Sequence, residues 1–172
     1  MRRISCGLLL TSILISCSLV QEPLSDESGK IESVSPDDTE MNAAIREAQD
    51  TLPLFIEAFQ SPTPTQTHFL IKARFPYGNG SAAEHIWVAD LSLTDNEFEG
   101  VLGNEPIYVR NLHLRDRVII QKDGITDWMI IDDNRLLGGF TIFVIRNRMA
   151  DDERKQFDAE LGYSIPDEPA LP

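Results

Sequence analysis

The chain has 172 residues, of which 15 are basic and 28 acidic, so its formal net charge is −13. This length suits one domain with short appendages, and so acidic a surface repels phosphate backbones, which disfavours nucleic-acid binding. Both cysteines lie within the first 17 residues, so the rest of the chain has no cysteine for a disulfide, a zinc site or a nucleophile.

The amino-terminal stretch has the layout of a secretory signal. Two arginines precede a mostly apolar run over residues 4–20, which is too short and too lightly flanked for a transmembrane anchor. The run contains Leu14-Ile15-Ser16-Cys17, which resembles the lipobox of bacterial lipoproteins. The resemblance implies that residues 1–16 are removed as a signal peptide and that Cys17 carries lipid. The alternative is an ordinary cleaved signal without lipid.

Residues 17–36 form a polar, acidic segment with few apolar side chains. Such a segment cannot bury enough surface to order itself, so we expect a flexible linker behind the lipidated cysteine. Ser18 follows Cys17 where an aspartate would resemble the class retained in the inner membrane. We therefore expect a cell-envelope lipoprotein, held in the membrane through Cys17 at the periplasmic face of the outer membrane of a diderm bacterium.

An amphipathic helix is predicted to begin at Asp37. This side chain can accept hydrogen bonds from the first free amides, and Glu40 occupies the reciprocal position of a capping box. Pro53 interrupts the helical pattern, so we expect a kink or a restart capped by Thr51. The apolar residues that recur at spacings of three and four, and so share one helical face, are Met41, Ala44, Ile45, Ala48, Leu52, Phe55 and Phe59.

Alternating apolar and polar residues predict three strands after this helix, over residues 69–75, 85–93 and 97–102. Gly100 in the third strand leaves room for a large neighbour, and Trp87 is the candidate for that space. The residues of the second strand that the alternation places on one face are Trp87, Ala89, Leu91 and Leu93.

A short extended segment is predicted over residues 107–109. Residues 118–121 and 125–131 then flank Asp123-Gly124, a strong signal for a hairpin with a two-residue turn. These elements predict two paired strands that are buried on both faces in places.

The region over residues 139–147 fits either a strand or a helix, and we predict a helix after Gly138-Gly139. Asp151 or Asp152 is expected to cap a last helix that Gly162 ends. Residues 164–172, rich in proline and acid, are predicted to be a disordered tail. The fold class predicted for residues 37–163 is α+β. It comprises a strongly bent antiparallel sheet of about five strands, one Pro-kinked N-terminal helix and one or two C-terminal helices.

Short motifs follow one another through the predicted domain. They are Ile86-Trp87-Val88, Phe98-Glu99-Gly100-Val101-Leu102, Asn104-Glu105-Pro106, Asp116-Arg117-Val118, Ile125-Thr126-Asp127-Trp128 and Gly138-Gly139-Phe140-Thr141. In this order they resemble the YegJ-like family of bacterial domains of unknown function, over about residues 37–162. Arg115 departs from that pattern, where glycine is expected, which puts a tight turn there in question. The resemblance implies no established reaction, although some relatives are similar to proteins of toxin–immunity loci.

The side chains that could form a site are few. The three histidines lie on different segments without metal-ligand spacing, so we predict no metal and no cofactor. Asn104 and Glu105 form a polar break in an apolar region, and we predict a binding surface there, near Trp87 and Trp128. Asp127 is either a functional carboxylate or a solvated or backbone-bonded acid opposite Ile120.

Three arginines, Arg110, Arg115 and Arg117, form a basic cluster on this acidic chain. They could pair with nearby acids or form a small anion-binding patch. The sequence favours an envelope-tethered, non-enzymatic binding module whose partner is a protein, as for a toxin-immunity inhibitor, or an envelope component. The alternative is an envelope enzyme that uses carboxylates such as Glu105 and Asp127, which would require a shared cleft.

Overall fold

The computed structural model describes residues 37–80 and 82–172, so the predicted leader over 1–16, Cys17 and the linker over 17–36 lie outside the described residues. The described chain is α+β, as predicted, with a single antiparallel sheet of six strands where about five were expected. The elements in chain order are α1 Thr39–Gln60, β1 Gln66–Tyr77, β2 Ala82–Leu93, β3 Glu97–Leu102, β4 Arg117–Gln121, β5 Ile125–Asp132, β6 Arg135–Gly138, α2 Phe140–Arg148 and α3 Asp151–Glu160.

The strands of the sheet have the order β4-β3-β2-β1-β5-β6. β4 and β5 are joined by a single 3₁₀ turn, Lys122–Gly124, yet three strands lie between them in the sheet. Four strand spacings of about 4.8 Å would separate them by roughly 19 Å in a flat sheet, and four residue steps reach at most about 14 Å. The sheet must therefore curl, which agrees with the predicted strong bend.

The predicted hairpin around Asp123-Gly124 is wrong. β4 pairs with β3 and β5 pairs with β1. In β4 the buried residues alternate with exposed ones, whereas every residue of β5 before Asp132 is buried. A strand that is buried on both faces is stabilised inside a sheet, and an amphipathic strand suits an edge, so burial outweighs the local turn signal.

The first helix is continuous. Its N-cap is Asp38, not Asp37, and the Asp38 side chain accepts a hydrogen bond from the Met41 backbone N at 3.0 Å. The helix runs through Pro53 without restarting, and the Thr51 hydroxyl donates back to the Glu47 carbonyl at 2.7 Å instead of capping a second piece. The buried stripe, which includes Ala48 and Phe55, packs against one face of the sheet.

The apolar residues of β2 lie on two faces of the sheet, whereas the alternation in the sequence predicts one face. Asp90 has a φ of +51°, and the pairing of β2 with β3 shifts its register beside it. This bulge reverses the alternation, so Trp87 and Ala89 pack on one face of the sheet while Leu91 and Leu93 pack on the other. The space at Gly100 is filled by Val88, Ala89 and Leu91 rather than by Trp87.

The C-terminal region contains the predicted helix after Gly138-Gly139, α2, preceded by the short strand β6. Neither Asp151 nor Asp152 caps α3. Ala150 holds the N-cap position, and its backbone N donates to Glu153 Oε2 at 3.2 Å. Gly162, with a φ of +70°, follows the end of α3, as predicted.

The segment 164–172 is not a frayed tail in the structure. The backbone N of Leu136 donates to the Ser164 carbonyl at 2.9 Å, and that of Gly138 donates to the Ala170 carbonyl at 2.8 Å. These bonds satisfy the outer edge of β6, which would otherwise be left open. The need of that edge for acceptors therefore orders a segment that composition alone predicts to be disordered.

Candidate functional site

The predicted surface at Asn104 and Glu105 lies at the start of a loop that connects β3 to β4. We call residues 103–116 the β3–β4 loop. Glu105 is exposed, but its Oε2 accepts from the Leu114 backbone N at 2.8 Å and its Oε1 lies 3.1 Å from His113 Nδ1. The Leu114 amide and then His113 hold the pKa of Glu105 below its ordinary value. Glu105 thus fixes the shape of the loop.

Glu84, near the start of β2, fixes the middle of the same loop. Its Oε1 accepts from the Ile107 backbone N at 2.8 Å, and its Oε2 accepts from those of Tyr108 and Val109 at 2.9 and 3.2 Å. One carboxylate therefore satisfies three consecutive amides without regular secondary structure. The extended segment predicted over 107–109 is not a strand, because these amides face a side chain and not a neighbouring strand.

The end of the loop contains the tight turn that Arg115 puts in question. Arg115 has a φ of +72°, in the left-handed region that favours glycine, and its backbone N donates to the Leu102 carbonyl at 3.1 Å. The Asp116 carboxylate accepts from the His113 backbone N at 2.8 Å. The turn is therefore present, and an arginine occupies the strained position.

This well-anchored loop exposes large apolar side chains. Ile107 is 50% exposed, Tyr108 47% and Leu114 37%. The Tyr108 ring stacks on Tyr77, with centroids 5.1 Å apart and planes 16° apart. Between the end of β1 and the loop lies an open groove of about 560 Å³, to which both tyrosines contribute. Apolar and aromatic side chains held on a fixed backbone are typical of protein contact surfaces.

The three arginines of the basic cluster have different surroundings. Arg117 Nη1 lies 3.0 Å from Glu99 Oε1, and Arg115 Nη1 lies 3.8 Å from Asp90 Oδ2. Arg110 is exposed and lines the groove, and no ion pair or hydrogen bond joins its side chain to another described residue. Two of the arginines are thus paired with acids, and Arg110 remains available to an anion.

Asp127 is neither solvated nor opposite Ile120. It lies opposite Lys72 in the β1–β5 pairing and has no exposed surface. Its oxygens accept from the backbone N atoms of Trp128, Phe140 and Thr141 and from the Thr141 hydroxyl. The carboxylate therefore caps the start of α2 from a neighbouring strand. Burial raises the pKa of Asp127, which Lys72 and the Thr141 bonds oppose.

Beside Asp127, Lys72 connects several polar groups on the same face of the sheet. Its Nζ donates to Thr141 Oγ1 at 3.2 Å and lies 5.0 Å from the centre of the Trp87 ring. His85 Nδ1 lies 2.9 Å from Thr126 Oγ1. Burial, followed by the charges of Lys72 and Arg74, lowers the pKa of His85 to about 4. Lys72 thus bonds Thr141 and lies over the Trp87 ring, so Trp87 is packed beside these polar groups.

Trp128 belongs to the core on the opposite face. It is fully buried, and its Nε1 donates to the Ala48 carbonyl at 3.1 Å and to Thr51 Oγ1 at 3.2 Å. These bonds attach α1 to β5, and the indole packs edge-on against Phe140. The residue therefore has a structural role that explains its burial.

The structure divides the predicted binding residues between two places, the start of the β3–β4 loop beside Trp87 and strand β5. The Gly103 backbone N donates to the Trp87 carbonyl at 2.8 Å, so the loop segment with Asn104 and Glu105 begins beside Trp87, one of the two tryptophans expected near it. Asp127 and Trp128 lie in β5, which β1 separates from β2. The carboxylate-enzyme hypothesis requires Glu105 and Asp127 to share a cleft. Glu105 is exposed and Asp127 is fully buried, so they share none.

Sequence reasoning missed two contributors to the exposed surface, Glu84 and Tyr77. Neither has a local signal, because each acts across more than 20 residues of chain. Within residues 37–80 and 82–172, no helix is both long and apolar enough to cross a membrane. In the same described part, no three histidine or carboxylate side chains are grouped so that they could hold a metal ion.

A family model described as an uncharacterized protein conserved in bacteria, DUF2314, matches residues 38–165. The chain is 31% identical over 102 residues to the uncharacterized protein YegJ of Escherichia coli K12, covering 59% of this chain and 64% of YegJ. It is 35% identical over 89 residues to a putative ankyrin repeat protein of Neisseria meningitidis serogroup B, covering 52% of this chain and 35% of that protein.

The chain thus spans less than two thirds of the length of these curated relatives. No solved structure matches it. The family match includes α1, the whole sheet, α2 and α3, so it confirms the resemblance to YegJ that the motifs indicate. The chain belongs to the DUF2314 family of bacterial proteins.

Proposed function

We propose that this protein is an envelope-tethered lipoprotein whose folded domain is a non-enzymatic interaction module, and that the β3–β4 loop is its contact surface. One observation carries the proposal. Carboxylate side chains hold the backbone of the loop, while its large apolar side chains are exposed to solvent. Glu84, Glu105 and Asp116 all accept bonds from loop amides. Ile107, Tyr108 and Leu114 are exposed on the same loop.

Physical chemistry explains why such a loop suits binding. Ordering a flexible loop costs about 0.5–1.5 kcal/mol for each immobilised side chain, and a loop already held by its own carboxylates avoids part of that cost. Exposed aromatic and aliphatic side chains then gain free energy when a partner removes them from water. The alternative of a loop kept only for folding does not explain why its largest apolar side chains point outward.

The anchor is supported by the leader and by Leu14-Ile15-Ser16-Cys17. Metabolic labelling with a fatty-acid analogue tests it, because Cys17→Ser should abolish incorporation of the label. Retained labelling in that variant would refute the anchor. Separation of inner and outer membranes tests the expected position. The wild-type protein, which carries Cys17, should be recovered with the outer membrane.

Site-specific crosslinking in living cells tests the contact surface. A photoreactive phenylalanine at position 107 should give a discrete adduct, because Ile107 is one of the large apolar residues exposed on the loop. The same group at position 54 is the matched control, since Leu54 is an exposed apolar residue of α1. The proposal fails if position 107 gives no adduct, or if position 54 gives the same adduct with equal yield.

A further inference from the structure

The groove beside the β3–β4 loop has a chemistry that narrows the class of partner. Its volume of about 560 Å³ lies within the range of about 300–1,000 Å³ that ligand sites occupy. Pro76, Tyr77 and Gly78 line it from the end of β1, and Tyr108, Arg110 and Asn111 line it from the loop. The groove thus offers two stacked rings, an amide and one cation.

Within residues 37–80 and 82–172, no acidic side chain pairs with the positive charge of Arg110 in the groove. Glu84, Glu105 and Asp116, the acids that bind the loop, direct their oxygens at backbone amides. Arg110 forms no hydrogen bond or ion pair with another described residue, and it is exposed in the groove wall. A guanidinium of this kind presents a planar fork of donors that matches a carboxylate.

The net charge of the chain indicates which kind of anionic partner could bind to Arg110. With a net charge of −13, the chain repels extended anionic surfaces such as acidic membranes or nucleic acids. A short extended segment with one or two carboxylates escapes most of that repulsion, and its neighbouring apolar side chains can contact Tyr77 and Tyr108. The arrangement therefore favours a peptide over a polyanion.

We propose that this groove binds an extended peptide segment of a partner protein, with an aspartate or glutamate of the peptide paired to Arg110 and an apolar side chain against Tyr108. This inference rests on the proposed function, since it names the partner class of the same surface. Glu84 takes part indirectly, because it holds the backbone from which Tyr108 and Arg110 project.

Selection from short random peptides displayed on phage tests the inference. The full chain, purified from the cells that produce it, is the target, and Arg110→Gln and Arg46→Gln are selected in parallel. Arg46 is an exposed arginine of α1 and serves as the matched control. Peptides recovered on the wild type and on Arg46→Gln should be enriched in Asp or Glu at one position, and those recovered on Arg110→Gln should not.

Synthetic peptides then measure the pairing directly. Replacing the acid of an enriched peptide by its amide should weaken binding to the wild type about tenfold or more, as expected for a charge-assisted bond. The same replacement should hardly change binding to Arg110→Gln. Tyr108→Ala should weaken the binding of both the acidic peptide and its amide form. Unchanged thermal unfolding of each variant shows that the fold is intact.

Three outcomes would overturn the inference. They are the absence of any enriched peptide, enrichment without acidic preference, and Arg110-dependent binding to phosphatidylglycerol vesicles in place of peptides. The proposed function is tested separately, because a crosslink from position 107 in cells would remain if the surface bound its partner by apolar contacts alone. Loss of that crosslink would instead remove both the proposed function and the inference that rests on it.

Discussion

Asp127 and Thr141 are joined by two hydrogen bonds across the junction of β5 and α2. The Thr141 backbone N donates to Asp127 Oδ2 at 2.8 Å, and its hydroxyl donates to the same oxygen at 2.5 Å. Gly139, the N-cap residue of α2, has no side chain to accept from the first amides, so Asp127 supplies the missing acceptor from the sheet. This pair therefore couples strand β5 to helix α2.

Replacing Asp127 by Asn should lower the free energy of unfolding by about 2–4 kcal/mol, because an amide nitrogen would face donors that now meet an oxygen. Urea unfolding followed by tryptophan fluorescence measures the change. Asp123→Asn, in the exposed turn before β5, is the control and should change the free energy by less than about 0.5 kcal/mol. Equal stabilities for the two variants would show that Asp127 is not needed as a cap.

Gly138 lies where β6 passes over the Trp128 indole, and it has a φ of +68°. A methyl group there would overlap the Trp128 carbonyl and ring and would adopt a backbone conformation that disfavours side chains. Gly138→Ala should therefore lower the free energy of unfolding by roughly 3 kcal/mol or more. Gly124→Ala is the control, since the nearest atom to the added methyl group there is the Ile120 Cγ2 at 4.0 Å. Similar urea midpoints for both variants would contradict this packing.

Much of the fold follows from local patterns that burial reinforces. The stripe of α1 and the alternation of Phe98 and Leu102 in β3 gave correct elements, because each pattern points one face at the core. The partners of β4 and β5, which are β3 and β1, could not be predicted from Asp123-Gly124. That turn signal is local, whereas the position of β5 in the sheet depends on the burial of both its faces. The reversed face at Trp87 depends on the backbone of Asp90, whose positive φ has no reliable local signal.

The site was predicted less completely than the fold. Glu105 was recognised because it interrupts an apolar region, and the structure explains the interruption as a loop held by that carboxylate. Glu84 belongs to a strand by pattern, and only the folded chain brings it to the amides of residues 107–109. Long-range carboxylate–amide contacts of this kind leave no spacing in the sequence.

Arg115→Gly should raise the free energy of unfolding by about 0.5–1 kcal/mol, because glycine adopts a φ near +72° without the strain of a side chain. The contact of Arg115 with Asp90 is long and exposed, so its loss should cost little. Arg115→Ala removes the same contact without relieving the strain and should not stabilise the protein. Thermal unfolding of both variants distinguishes these results, and a less stable Gly variant would refute the strain.

Glu84→Gln should loosen the β3–β4 loop without unfolding the domain. A neutral amide accepts more weakly than a carboxylate, so amide hydrogen exchange at residues 107–109 should accelerate about tenfold or more. Hydrogen exchange followed by mass spectrometry or NMR measures this, with Glu57→Gln on the exposed face of α1 as the control. Unchanged exchange in the loop would mean that Glu84 does not hold it, and the preorganised surface would lose its main support.

The pair Asp38–Arg148 should give the protein a defined sensitivity to acid. Arg148 donates from Nη1 and Nη2 to the two Asp38 oxygens at 2.8 and 2.7 Å, and this contact, with the Met41 amide, lowers the pKa of Asp38 to about 2. Because the folded pKa lies below the ordinary value of 3.8, the stabilisation is present above that value and is lost as the pH falls through about 2.

Asp38→Ser isolates the charge, since serine can still cap α1 but cannot pair with Arg148. At about pH 6 the wild type should unfold at a higher temperature than this variant, and the difference should shrink between about pH 4 and pH 2. Thermal unfolding across that range measures it. A difference that stayed constant down to about pH 2 would show that ionisation of Asp38 does not contribute to the stability of the fold.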